Sequence, residues 1–146
     1  MSYFAEQIQI LVPGKKKGSY LITPDVYKGS AQLLDQVKCG QIHIFLTHTS
    51  ASISINENAD PTVRTDLHKV MDRIAPKSLQ YDHCYEGSDD MPSHCLSVIC
   101  GVDLTIPVRE GKMVLGTWQG IYLNEHRNFG GDRKLILTVS GLSSSK

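Results

Sequence analysis

Leu115-Gly116-Thr117-Trp118-Gln119-Gly120-Ile121-Tyr122-Leu123-Asn124-Glu125-His126 is the stretch from which the rest of the chain is best read. At period two, Gln119, Ile121, Leu123 and Glu125 share one face of a strand, and Trp118, Gly120, Tyr122, Asn124 and His126 share the other. Glu125 therefore stands where the pattern asks for an apolar residue. A carboxylate in register with Ile121 and Leu123 is costly to bury unless it meets a cation, a metal ion or strong donors. Two readings follow: a strand end at which Glu125 emerges into water, or a polar site built into the sheet. The stretch also holds the only tryptophan, Trp118.

Working outward, strands come in quick succession. Residues 7–12 alternate and stop at Pro13-Gly14, and residues 41–47 and 51–56 form two strands joined tightly at Thr49-Ser50. Further strands are expected at 103–108, 112–115, 118–125 and 134–140. Three helices are interspersed. Thr23-Pro24-Asp25 opens the first with a capping hydroxyl and a proline in its first turn; Val26, Leu33, Leu34 and Val37 form its stripe and Gly40 its end. Asp60-Pro61 opens the second, with Val63, Leu67, Val70, Met71 and Ile74 as its buried stripe and Pro76 as its stop. Residues 81–91 read as a loop, and 92–100 as a short helix closed by Gly101. More strands than helices, mostly joined by short links, predict one α+β domain over residues 1–146, with mainly antiparallel, sandwich-like sheets flanked by about three helices.

Composition narrows the function classes. The formal net charge of the 146 residues is zero, which gives no general electrostatic case for nucleic acid. Lys15-Lys16-Lys17 is a short run before Gly18 and reads as a solvated turn. No apolar stretch reaches membrane-spanning length, and the first residues lack the pattern of a signal peptide. Cys39, Cys84, Cys95 and Cys100 show no Cys-x-x-Cys spacing, so free, mostly buried thiols in a cytoplasmic protein are expected. A Ser-rich tail at Ser143-Ser144-Ser145 is the only biased segment.

Several residues are candidates for chemistry. His48 follows Ile42, Ile44 and Leu46 on one strand face, so it points inward at the strand end, with Thr49, Ser50 and Ser52 supplying hydroxyls nearby. Asn56 and Glu57 end a strand whose body is apolar, and Glu57 repeats the anomaly of Glu125; a plain strand-to-helix turn would use the same residue types, and Asp60 reads as a cap. Asp66 lies at the margin of the second helix's stripe, able to face a site or water. His83 and His94 can converge on a divalent ion, although their spacing fits no compact zinc motif. Arg127, Arg133 and Lys134 flank Gly130-Gly131. They read first as a solvated hairpin and second as a phosphate contact.

Gly111, four residues, then Gly116-Thr117-Trp118-Gln119-Gly120-Ile121 resembles the signature of the YjbQ-like family, also called the secondary thiamine-phosphate synthase family. The resemblance extends to His48-Thr49-Ser50-Ala51, to Ile55-Asn56-Glu57-Asn58 followed by Pro61, and to Ser93-His94-Cys95-Leu96, in order along the chain. Two positions depart from the pattern: Asp103, where Ser is usual, and Asp90, where Asn is common. The resemblance implies a sheet sandwich with helices, a homotrimer, and an enzyme joining a pyrimidine pyrophosphate to a thiazole phosphate with release of pyrophosphate. It implies His48, Asn56, Glu57 and Glu125 as catalytic residues, with Thr49, Ser50, Asp66, Trp118 and Arg127 binding a small phosphorylated metabolite. His83 and His94 would hold zinc or magnesium. The same residues would also serve a metal-dependent hydrolase, or a non-catalytic trimeric protein that binds a metal or phosphometabolite.

Overall fold

The chain runs β1 (Tyr3–Val12), β2 (Gly18–Leu21), α1 (Thr23–Leu34), β3 (Val37–Leu46), β4 (Ala51–Glu57), α2 (Pro61–Ile74), α3 (Asp90–Cys100), β5 (Asp103–Arg109), β6 (Lys112–Met113), β7 (Gln119–Glu125) and β8 (Arg133–Ser143) in a computed structural model that describes residues 2–144. Five strands form one sheet in the order β1-β8-β3-β5-β6, and three form a second in the order β2-β7-β4. Every pairing is antiparallel. The class is α+β, as the pattern of short links between strands predicts.

Alternation explains where the core sits. Ile42, Ile44 and Leu46 of β3, Leu135, Leu137 and Val139 of β8, and Ile106 and Val108 of β5 are buried together with Ile53 of β4 and Ile121 and Leu123 of β7. Each such side chain stabilises the fold by roughly 1.5–3 kcal/mol relative to exposure. α1 adds Val26 and Leu34 to this core and packs on β1 and β8. α2 packs on β2 and α3 on β4, the two edges of the three-stranded sheet. Central β7 is therefore covered on both faces, and Tyr122, Asn124 and His126 are as buried as Ile121 and Leu123.

The structure corrects several expectations. α1 stops at Leu34, and Val37 and Gly40 belong to β3. Gly40 pairs with Gly141, and a Cβ on either would collide with the opposite backbone, so this glycine serves the sheet and not a helix end. Thr23 does not cap α1; its hydroxyl accepts from Ile121 N–H at 2.9 Å and ties the helix to β7. Asp60 caps α2 as expected, accepting from Thr62 N–H at 2.9 Å. The stripe of α2 is not buried, however. Val63, Leu67 and Met71 are half-covered, and Val70 and Ile74 are exposed, because the four-residue β2 offers the helix little surface.

Other differences are smaller. β2 was not expected, since Gly18-Ser19-Tyr20-Leu21 shows no apolar alternation. β1 starts earlier, at Tyr3, and β6 is only two residues long. Trp118 precedes β7 and lies in a turn. None of the cysteines is buried: Cys39 and Cys84 are exposed, Cys95 and Cys100 half-buried, and all are free. Lys17 is not a solvated turn residue, since its Nζ lies 2.6 Å from Asp72 Oδ1. Ser143 ends β8 and Ser144 follows it, while Ser145 of the expected tail lies outside the described residues.

Candidate metal and ligand site

Asp90 is the hub of the most concentrated polar cluster. It is the first residue of α3, 2% exposed, and its Oδ2 lies 2.9 Å from His83 Nε2 and 3.1 Å from His94 Nε2. His94 is one helical turn further on, which puts both side chains on one face of α3. His83 comes from the preceding loop, its ring centroid 5.5 Å from that of His94. Glu86 Oε2 stands 3.8 Å from His83 Nε2, and Arg127 Nη1 stands 3.3 Å from Asp90 Oδ1. Ligand atoms of His83, Glu86, Asp90 and His94 all lie within 4.8 Å of one another.

The hydrogen bonds of His94 carry chemical information. Its Nδ1 lies 2.7 Å from the Thr49 carbonyl, which can only accept, so Nδ1 holds the proton. Nε2 faces a carboxylate oxygen of Asp90 at 3.1 Å, and a proton or a cation must lie between the two. An imidazole held through Nδ1–H by a backbone carbonyl, with Nε2 turned to a carboxylate, has the supporting contact found around metal-ligating histidines. Burial works against ionisation of Asp90, but His94, hydrogen bonds with His83 and Glu86, and Arg127 outweigh it and hold the carboxyl below its usual range.

Glu125 is buried at 1% exposure and meets a cation. Its Oε1 accepts from Arg133 Nε at 2.7 Å and its Oε2 from Arg133 Nη2 at 2.6 Å, a bidentate pair closed off from water on both sides. Arg133 is 3% exposed, so it is not part of a solvated hairpin; it opens β8 in register with Leu135 and Leu137 and continues the inner face of the sandwich. Its Nη2 also donates to the Ser50 hydroxyl at 3.0 Å. Arg127 N–H donates to Glu125 Oε2 at 3.2 Å, and the Arg127 guanidinium reaches the Glu86 carbonyl at 2.6 Å as well as Asp90. The buried pair thus anchors the segment that aims Arg127 at the Asp90 cluster.

His48 lies just beyond β3, half-buried, with Nε2 accepting from Lys134 N–H at 2.8 Å. Burial, with help from Arg133 and Lys134 and against the pull of Glu125, lowers its pKa. A groove of about 670 Å³ joins it to the cluster. Phe45, Val98 and Val102 give this groove apolar walls, and His48, Thr49 and His94 line its polar side.

The remaining sequence candidates sit elsewhere. β4 pairs Ala51 with Glu125 at one end and Glu57 with Gln119 at the other, so Asn56, Glu57 and Trp118 lie about 20 Å from Glu125 along the strand. Asn56 Oδ1 accepts from Glu57 N–H at 2.7 Å, and Trp118 is 63% exposed. Asp66 points into water, 3.7 Å from Lys69 Nζ. Sequence reasoning named His83 and His94 but gave Asp90 and Glu86 no role. The available signal was the i, i+4 spacing of Asp90 and His94, hidden because residues up to 91 were assigned to a loop. Asp103, the other departure from the family pattern, is exposed and lies 3.0 Å from His43 Nε2.

The family profile described as UPF0047 protein YjbQ-like matches residues 6–142. The chain belongs to the YjbQ-like family. It is 47% identical over 135 residues to UPF0047 protein YjbQ of Salmonella typhimurium, covering 92% of this chain and 97% of that one. It is 44% identical to UPF0047 protein YjbQ of Escherichia coli O157:H7 over the same shares. Among solved structures, a protein of unknown function from Sulfolobus solfataricus P2 superposes with a TM-score of 0.85 at 25% identity, covering 96% of this chain and 99% of that one. A YjbQ/UPF0047 family protein from Clostridium acetobutylicum gives 0.80 at 32% identity, covering 90% and 98%. Two antiparallel sheets and three helices are thus the architecture of a YjbQ-like fold.

Proposed function

We propose that the chain is a metal-assisted transferase of the thiamine-phosphate synthase type, joining a pyrimidine pyrophosphate to a thiazole phosphate. One observation carries the reading: Nε2 of His94 and the buried carboxylate of Asp90 converge at 3.1 Å beside His83 and the Arg127 guanidinium. His83, His94 and Asp90, with Glu86 at the rim, would hold the ion. Two imidazoles favour zinc over magnesium. When bound, the ion supplies positive charge for a departing pyrophosphate.

The protein's own groups do the rest. Arg127 adds positive charge beside the cluster, its guanidinium held by the Glu86 carbonyl and Asp90 and its backbone N–H by Glu125. His48, neutral and held through Nε2 by a backbone N–H, offers Nδ1–H as a donor to a second phosphate. The apolar walls at Phe45, Val98 and Val102 suit a flat heterocycle, so that its ring nitrogen approaches the carbon from which pyrophosphate leaves. A new C–N bond then forms as the C–O bond to pyrophosphate breaks, and the electron pair leaves with the pyrophosphate. No protein nucleophile is required.

The reading includes a homotrimer working in the cytoplasm on small phosphorylated metabolites. Ile99 and Leu79, each 58% exposed, give apolar surface for subunit packing. In the cytoplasm the four free cysteines would stay reduced. The test uses chelator-stripped protein, reloaded with zinc or magnesium and given both precursors. Metal-dependent product, lost in the double variant His83→Ala, His94→Ala with folding retained, is the expected result. Absence of product at any metal loading would remove the transferase reading, and a monomer in light scattering would remove the trimer.

A further inference from the structure

α2 turns a polar face to the three-stranded sheet, and the Asp90 cluster does not use it. Arg64, His68 and Asp72 follow one another at helical spacing along this face. His68 Nε2 lies 2.8 Å from the Ser19 hydroxyl of β2, and Asp72 Oδ1 lies 2.6 Å from Lys17 Nζ. The Arg64 guanidinium stands over the ring of Tyr122 in β7, its Cζ 5.5 Å from the centroid. A groove of about 430 Å³ runs between α2 and β2, with Lys17, Ser19, Arg64, His68, Lys69 and Asp72 along it. That is the size of a site for a small organic ligand.

The charges along this groove do not cancel. Three cations, Lys17, Arg64 and Lys69, face one carboxylate, Asp72, and Lys17 holds that carboxylate. Lys69 has only Asp66, 3.7 Å away, and both side chains are largely exposed, which makes that pair weak. Arg64 has no carboxylate within ion-pair distance and no hydrogen-bond acceptor among the described residues. Its Nε is closed off from solvent, whereas neither Nη is. An aromatic face attracts a guanidinium without neutralising it, and leaves the in-plane N–H groups free. His68 adds no charge at neutral pH, because burial first and then Lys17 lower its pKa against the pull of Asp72.

We propose that this groove binds the phosphate group of a small metabolite, with the Nη groups of Arg64 as its donors and Lys69 as a second charge. A planar fork with unmatched charge suits phosphate better than any other side chain does. A phosphate monoester carries about −1.5 to −2 at neutral pH, which matches the two cations left once Lys17 and Asp72 have paired. The groove shares no residue with the cluster of His83, Glu86, Asp90 and His94. The proposal therefore stands whether or not the transferase reading does.

Imidazole NMR on histidine-labelled full-length protein tests it, with inorganic phosphate as the probe at physiological ionic strength. Phosphate held beside His68 favours the protonated ring, so the His68 resonances should move saturably and the His68 pKa should rise. Arg64→Gln should weaken binding at least about tenfold, and Arg64→Lys, which keeps the charge but loses the fork, should weaken it less. α2 buries none of its residues fully, so both variants should fold. Asp72→Asn, which frees Lys17, should tighten binding. The double variant His83→Ala, His94→Ala should leave the titration unchanged. No saturable movement of His68 would overturn the proposal. So would a movement undiminished in both Arg64 variants, which would mark an adventitious ion only.

Discussion

Replacing Glu125 by Gln isolates what its charge does. Three donors converge on this carboxylate: Arg133 Nε at 2.7 Å, Arg133 Nη2 at 2.6 Å and Arg127 N–H at 3.2 Å. A glutamine amide offers one acceptor oxygen and one NH2 group. Whichever way it is turned, NH2 must face a donor, and the guanidinium of Arg133, 3% exposed, keeps its charge without a counter-ion. Breaking a buried pair in this way costs about 3–5 kcal/mol. For a chain of this size that is a fall in melting temperature of roughly 10–15 °C, at about 3 °C per kcal/mol. Circular dichroism melts and urea titrations at neutral pH measure it. The paired variant Glu125→Leu, Arg133→Met, which removes both charges, should recover most of the loss. A single variant that melts within about 2 °C of the parent, well under 1 kcal/mol, would refute the reasoning.

Three further outcomes are expected. Gly130 covers the same pair, and a Cβ there would come within 2.6 Å of Glu125 Oε2, so Gly130→Ala should destabilise by about 1–3 kcal/mol in urea titrations; an unchanged midpoint would mean that the hairpin moves freely. His126 titrates near 4 in the folded protein against about 6.5 unfolded, so its contribution to stability is full above pH 6.5 and is lost as pH falls toward 4. This amounts to about 2 kcal/mol between pH 7 and pH 5, seen as a pH slope in urea midpoints that becomes shallower in His126→Phe, with His68 and His48, whose pKa burial also lowers, supplying the rest. Asp90→Asn should weaken zinc binding at least about tenfold in competition with a chelating dye, and unchanged affinity would remove Asp90 from the ligand set.

Period-two alternation placed β3, β5, β7 and β8 and the core between them, because one face of each strand is buried against the other sheet. It failed where that condition fails. β7 is covered on both faces, so the polar residues Asn124 and His126 are as buried as the apolar ones, and no periodic pattern marks them. α2 has a clear amphipathic sequence but only a short edge strand beneath it, so its stripe stays half-exposed. In the site, His83, His94 and Arg127 were legible as residues able to hold a metal or a phosphate. Asp90 was not, since a single Asp before a proline reads as a turn until the helix is seen to begin with it.

The anomaly at Glu125 has a cause that no local pattern contains. Its partner, Arg133, is the first residue of the next strand, and the two meet because both sit on inner faces at the same end of the sandwich. A sandwich must close at its ends, and an apolar pair would close this one as well. What the ion pair adds is direction. Glu125 has acceptor capacity beyond Arg133, and it takes Arg127 N–H; Arg133 has a donor beyond Glu125, and it takes the Ser50 hydroxyl. Ser50 adjoins Thr49, whose carbonyl orients His94, and Arg127 reaches Asp90 from the other side. One buried pair thus fixes both segments that converge on the Asp90 cluster. Glu125 is on this argument a positioning residue, acting on the Asp90 cluster through Arg127 and Ser50 without touching it.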